Sequence, residues 1–192
     1  HSSNVAICNL LDQGYVTKDV LTEKLNDLGF FQGDTMDGLT CSSSINAYTR
    51  KNAGRLEYLT TGFGQGSTVT PYQLLKAYSV FGNDGKTVQP HIVDKVVNPE
   101  TNKVVYQATP KYSKQIFSTN TISQVKDLML GVIEYEQGTG KTYRLDNDVR
   151  MIGKTGTGQV VENGGYSTTL YMHSFVGIAP YDDPQVVMFL TF

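Results

Sequence analysis

The sequence predicts an α+β fold, an antiparallel sheet flanked by helices. Three observations predict it. Apolar residues recur at helical spacing in four separate segments before residue 136. The residues from 151 onward break into three apolar runs joined by short polar turns. No strand-helix-strand alternation links those runs, and consecutive strands joined by short turns pair antiparallel.

Residues 5–11 (VAICNLL) form a short apolar helical run. Thr17 is the N-cap of a second helix, with Val20, Leu21, Leu25 and Leu28 on one side and Gly29 as its stop. From residue 30 to 58 periodicity is lost. Gly33, Gly38 and the run Ser42-Ser43-Ser44 mark a long irregular connection with short helical turns. Thr70 then caps a helix that has Pro71 at its first position, where a missing N–H is harmless. Its apolar face is Leu74, Leu75, Tyr78 and Phe81, and Gly82-Asn83-Asp84-Gly85 ends it. Residues 91–97 and 103–107 flank Asn98-Pro99-Glu100-Thr101-Asn102 as a small hairpin. A helix follows over 119–135, its face built from Ile122, Val125, Leu128, Met129, Val132 and Ile133. Three strands close the chain near 151–161, 170–179 and 185–192, with turns at Glu162-Asn163-Gly164-Gly165 and Asp182-Asp183-Pro184.

The most informative residues are Gly153-Lys154-Thr155-Gly156-Thr157 on the first of those strands. A cation, two hydroxyls and glycines on one strand suit an extended anionic ligand, and the glycines allow a second backbone to come close. At the other end, Ser2-Ser3-Asn4 precedes the apolar run Val5-Ala6-Ile7; serine and asparagine there are also N-cap types. Between the two lies Gly62-Phe63-Gly64-Gln65-Gly66-Ser67-Thr68-Val69-Thr70-Pro71-Tyr72-Gln73-Leu74. Gln65 between two glycines reads as a residue that hydrogen-bonds its own tight loop.

Together these segments resemble the penicillin-binding proteins of class B, in the family's order: S-x-N, G-x-G-Q-G-x-x-V-T-P-x-Q-L, then K-T-G. The resemblance spans essentially the whole chain. It implies a transpeptidase fold of the penicillin-binding and serine β-lactamase type, with residues 1–192 as the C-terminal portion of a single domain, incomplete at both ends. The family's S-x-x-K, which carries the nucleophilic serine, belongs upstream of S-x-N. The last apolar run also stops without a terminator. One in-chain match, Ser123-Gln124-Val125-Lys126, follows S-x-N instead of preceding it and lies on a helix-period run, so it is rejected.

The resemblance implies D,D-transpeptidation of peptidoglycan stem peptides ending in D-Ala-D-Ala by serine acyl transfer, with β-lactams as inhibitors. Lys154 sets a positive potential for the substrate carboxylate. Ser2 relays a proton toward the leaving nitrogen, and Asn4 donates its amide to a substrate carbonyl or to the S-x-x-K lysine. Thr155, Gly156 and Thr157 form the substrate-binding strand, with both hydroxyls toward the carboxylate and the Thr157 N–H as one oxyanion donor. No metal or cofactor is required. The full protein is expected to be anchored in the bacterial membrane, to act on its extracytoplasmic face and to associate with the cell-wall synthesis machinery. A β-lactam sensor or silent scaffold of the same fold, and a β-lactamase, are the neighbouring alternatives. Asn4 and Lys154 stand 150 positions apart, which with the G-Q-G segment favours the longer transpeptidases.

Composition narrows the other classes. A net charge of −2 gives no reason to expect nucleic acid. No apolar run approaches the length of a membrane span. Gly140-Lys141-Thr142 and Gly153-Lys154-Thr155 imitate the end of a P-loop, but the required earlier glycine is Tyr135 in one case and Asp148 in the other. His1, His91 and His173 have no ligand spacing. Cys8 and Cys41 make no disulfide framework.

Overall fold

Adjacent polar residues at the start of the chain divide their work. Ser3 Oγ accepts the Ala6 N–H at 3.2 Å and caps α1 (Asn4–Asp12). The cap thus falls to Ser3 and not to Ser2 or Asn4, which leaves the Ser2 hydroxyl for another partner. This chain is seen in a computed structural model that describes residues 2–42, 44–146, 148–162 and 164–192. His1, Ser43 of the serine run, Asn147, and Asn163 of the turn that joins the first two closing strands lie outside the described residues.

Thr17 caps α2 (Lys18–Asp27) as expected, accepting from the Val20 N–H at 3.3 Å. The segment expected to be irregular contains more order than its pattern suggests. Strands β1 (Thr35–Met36) and β2 (Leu39–Thr40) pair across Asp37 and Gly38, both at positive φ, as a tight hairpin requires. Helix α3 (Arg55–Gly62) forms where no helical period is read in the sequence. Its N-cap is Gly54, whose N–H donates to Glu57 Oε2 at 2.7 Å. Its Leu56 faces solvent, so the apolar period that would have marked it is broken.

Helix α4 (Pro71–Tyr78) carries the expected cap as a reciprocal pair: Gln73 N–H to Thr70 Oγ1 and Thr70 N–H to Gln73 Oε1. The deepest residues of α4 are Gln73 and Ala77, while Leu74, Leu75 and Tyr78 are half-buried. Gln73 tolerates its burial because its amide also donates to the Gln32 carbonyl. Strands β3 (Lys95–Val97) and β4 (Val104–Gln107) form the expected exposed hairpin.

Helix α5 (Thr119–Glu134), capped by Ser118, lies against a sheet of β5 (Ile152–Glu162), β6 (Gly165–Ala179) and β7 (Val186–Thr191), antiparallel in that order. Strand β6 begins earlier than expected: Gly165 and Tyr166 pair with Glu162 and Val161, and the ladder resumes with Tyr171 opposite Gln159, the polar Ser167-Thr168-Thr169 lying in the irregularity between. One sheet face packs Ile152, Val176 and Ile178 against Met129 of α5. The other packs Met151 and Phe175 against Ile133, with the Tyr143 ring stacked on Phe175 at 4.1 Å. The core therefore lies on both faces of the strand that carries Lys154. Among the described residues, β5 pairs only with β6, so its other edge is open.

Candidate active site

Strand β5 alternates its side chains between the two faces. Lys154 shares a face with Ile152 and points toward the apolar space between sheet and helices. Thr155 and Thr157 share the opposite face with Met151. Lys154 Nζ donates to Ser2 Oγ at 3.0 Å and to its neighbour's carbonyl, Thr155 O, at 2.6 Å. The first contact joins residues 152 positions apart and brings the two sequence motifs into one site. Asn4 opens α1 next to this contact, two residues after Ser2, and is exposed.

Lys154 is half-buried, and that burial holds its ammonium below the ordinary lysine range. No carboxylate pairs with it among the described residues. An unpaired, partly desolvated cation attracts an anion more strongly than one in water and gives up its proton more readily.

Within the chain, the glycines of the strand make room for side chains. A Cβ on Gly153 would lie 2.7 Å from the Phe175 ring, and one on Gly156 would lie 2.5 Å from Ser174 Oγ. Gly153 lets Phe175 pack under the strand. Gly156 makes room for the Ser174 hydroxyl on the face it shares with Lys154.

The two threonines of the strand are not equivalent. Thr155 Oγ1 shares a 2.8 Å hydrogen bond with Thr139, in the loop after α5. Its hydroxyl thus has a partner within the protein, besides the substrate carboxylate that the resemblance implies. Thr157 is exposed, and its Oγ1 lies 3.5 Å from His173 Nδ1 on β6. Further along, Gln159 meets Gln65 at 3.5 Å and donates to the Ser167 carbonyl at 3.0 Å. Gln65 closes its own loop as expected, its N–H donating to the Thr60 carbonyl at 2.9 Å, and its side chain also reaches across to the strand, flanked by Gly64 and Gly66 at φ 90° and 82°. Thr139, His173 and Gln159 were not singled out in sequence. Each acts through a cross-strand or cross-loop contact that no local spacing encodes.

Ser123 is exposed at the start of α5, and Lys126 Nζ lies over the Tyr181 ring at 5.1 Å. The rejected S-x-x-K match thus shows no serine–lysine contact. Beside Lys154 opens an apolar groove of about 600 Å³, lined among others by Leu28, Phe30, Leu74, Ile122, Val125 and Met129.

The chain matches the family model described as penicillin binding protein transpeptidase domain over residues 1–192. It is 34% identical to stage V sporulation protein D of Bacillus subtilis over 90% of this chain and 26% of that protein. It is 30% identical to the peptidoglycan D,D-transpeptidase FtsI homolog of Mesostigma viride over 98% of this chain and 33% of that protein. Among solved structures it is similar to penicillin binding protein 3 of Mycobacterium tuberculosis complexed with aztreonam. That match has a TM-score of 0.86 and 27% identity, covering 99% of this chain and 43% of that one. The chain thus spans about a quarter to a third of the length of the two curated relatives.

Proposed function

This chain belongs to the penicillin-binding protein transpeptidase domain family, and we propose that it supplies two walls of a serine D,D-transpeptidase site acting on peptidoglycan stem peptides. The observation that carries the reading is the Lys154–Ser2 hydrogen bond, which joins the K-T-G and S-x-N segments. In this reading residues 1–192 are the C-terminal portion of one domain. The low coverage of the relatives and the open apolar groove beside Lys154 support it. A helix bearing the S-x-x-K serine and lysine is the occupant this reading assigns to the groove.

The chemistry follows from the arrangement. The substrate's terminal carboxylate is drawn to Lys154 and to the Thr157 hydroxyl. Its peptide lies along the open edge of β5 by strand addition. The nucleophilic serine attacks the carbonyl of the penultimate D-alanine. The developing oxyanion is held by backbone N–H groups, that of Thr157 among them. Ser2, bonded to Lys154, passes a proton to the departing D-alanine nitrogen. The depressed affinity of Lys154 for its proton suits it to that relay. Asn4 orients the substrate amide. Thr155 holds the strand through Thr139, and Gly156 admits the Ser174 hydroxyl beside Lys154. A second amine then takes the acyl group from serine. A β-lactam enters the same first step and remains attached. Extracytoplasmic action at the bacterial membrane, and association with the cell-wall machinery, belong to this proposal for the full protein.

Acylation of the full-length protein by a labelled penicillin tests it. A stable one-to-one adduct is expected, and Lys154→Ala is expected to slow its formation by about a hundredfold or more. Acylation of the Lys154→Ala protein at the parent rate would remove Lys154 from the mechanism. Rapid turnover of the adduct would instead make the protein a β-lactamase.

A further inference from the structure

A second cavity, of about 450 Å³, lies between the β1–β2 hairpin, α4 and the segments on either side of the β3–β4 hairpin. Small-ligand sites run from about 300 to 1,000 Å³. The cavity shares no lining residue with the apolar groove beside Lys154. Lys76 enters it from α4, about 200° around the helix from Leu74 and Tyr78, which line the groove. Hydrogen bonds brace the walls. Asp37 Oδ2, at the tip of the β1–β2 hairpin, accepts the N–H groups of Ile92 and Val93 at 2.6 and 2.9 Å. Asp34 accepts from Lys76 Nζ at 2.7 Å and from Gln89 Nε2 at 3.1 Å. The Thr87 N–H donates to Ser113 Oγ at 3.0 Å, and the Ser113 N–H to the Thr87 carbonyl at 2.9 Å. The cavity is therefore preformed by the fold.

The groups that these bonds do not use define the ligand. Thr87 lines the cavity and is only 2% exposed, yet its hydroxyl has no hydrogen-bond partner among the described residues. A buried hydroxyl is normally partnered. Gln89 gives its amide N–H groups to Asp34 Oδ1 and the Thr35 carbonyl, at 3.1 Å each, and meets the Tyr72 hydroxyl with the same nitrogen. Its Oε1 is thereby left as an acceptor. Lys76 keeps two N–H groups beyond the one given to Asp34, and Asp37 keeps Oδ1. Two tyrosine rings, Tyr106 and Tyr112, also line the cavity, 46% and 56% exposed.

We infer that this cavity binds a neutral N-acetylated amino sugar of the glycan that carries the stem peptides, at a saccharide site separate from the acyl-transfer site. The choice of ligand rests on the transpeptidase reading above. Charge favours a neutral ligand: Lys76 is paired with Asp34, and Asp37 sets a carboxylate on the wall, so an anion gains little. Lys111 and His91 stand exposed at the rim, where water and salt screen them. An acetamide has one acceptor and one donor. Its carbonyl suits Lys76 and the Thr87 hydroxyl, and its N–H suits Gln89 Oε1. A sugar hydroxyl suits Asp37 Oδ1, a charge-assisted bond. The C–H face of a pyranose packs on an aromatic face, which Tyr106 and Tyr112 offer. A glycan held here stays attached to the protein, and its stem peptides meet the acyl-transfer site at a raised local concentration.

Calorimetric titration of the full-length protein with triacetylchitotriose, a trimer of N-acetylated amino sugars, tests the site. Maltotriose, which has the hydroxyls without the acetamides, is the control. One-to-one binding of the first is expected, about tenfold or more tighter than the second. Tyr112→Ala removes a ring face and is expected to weaken binding about tenfold. Thr87→Val keeps the shape without the hydroxyl and is expected to weaken it about threefold. Both variants are expected to react with penicillin at the parent rate, which shows that they are folded. Prior acylation is expected to leave the trisaccharide affinity unchanged. No trisaccharide binding, equal binding of maltotriose, or an affinity that neither variant changes would overturn the inference, and continued acylation would leave the transpeptidase reading intact. Loss of trisaccharide binding on acylation would put the sugar in the catalytic cleft and overturn the inference too. Trisaccharide binding as expected without any acylation would overturn the transpeptidase reading, and with it the origin assigned to the sugar.

Discussion

The two walls of the site are built differently. The strand wall rests on a dense core: Ile133, Ile152 and Ile178 are fully buried, and Phe175 nearly so, on the two faces of the sheet that carries Lys154. The helical wall has a smaller core, in which Ala47 is buried and Tyr48 packs edge-on against Tyr58. Helix α2 buries no residue fully, and α1 buries only Leu11. It is held by side-chain bonds such as Tyr58 OH to the Val16 carbonyl, Thr22 to Tyr48, and the Arg55–Asp12 ion pair. The open apolar groove lies between the walls. Lys154 is thus placed by packing, and Ser2 by caps and contacts. The cation has a fixed seat, while the serine wall takes its final position with whatever fills the groove.

The largest difference should appear in the core. Ile152→Ala removes a fully buried side chain from the strand wall and is expected to lower stability by about 2–5 kcal/mol in urea unfolding of the full-length protein. Val20→Ala, on the half-exposed surface of α2, is expected to shift it by less than about 0.5 kcal/mol. Equal losses would mean that the two walls are held alike. Next comes Gly153→Ala, where the new methyl meets the Phe175 ring. Overpacking of this kind costs about 1–3 kcal/mol. Because the displaced strand carries Lys154, penicillin acylation is expected to fall with stability. A variant as stable and as reactive as the parent would show that the strand has slack.

A smaller effect concerns polar support on the helical side. Burial raises the Asp34 carboxyl, but hydrogen bonds from Lys76, Gln89 and the Thr35 N–H, with the Lys76 charge, outweigh it and leave it below the usual carboxylate range. A carboxyl depressed in the folded state stabilises above its unfolded pKa, and that contribution is lost as the pH falls through the folded value. Asp34→Asn is therefore expected to lower stability by about 1 kcal/mol at neutral pH. The difference from the parent should shrink below about pH 4, where the parent loses the same charge. A difference independent of pH would assign the effect to packing.

Much of this was legible because local signals and tertiary context agreed. Thr17 and Thr70 are caps, Pro71 is a first-turn residue, and α5 has an unbroken apolar face, so each element declared itself. Helix α3 did not, because its cap is a glycine and its Leu56 is exposed. The start of β6 was hidden by Ser167-Thr168-Thr169, a polar irregularity in the β5–β6 ladder that interrupts the alternation of a strand. In the site, Lys154 and Ser2 were visible as parts of motifs. The roles of Thr139, His173 and Gln65 depend on contacts over 16, 16 and 94 positions, which spacing along the chain cannot show. Ser3 capping α1 in place of its neighbours is a choice among three adjacent polar residues that only the backbone path decides.

The central claim is that Ser2 and Lys154 act as one unit across the cleft. A double-mutant cycle on penicillin acylation by the full-length protein tests it most directly. Residues that share one proton relay are strongly non-additive. Ser2→Ala and Lys154→Ala are each expected to slow acylation by about a hundredfold, and the double variant to be about as slow as the slower single one. Losses that multiply, so that the double variant is slower by the product of the two single effects, would show that the hydrogen bond between them carries no part of the reaction.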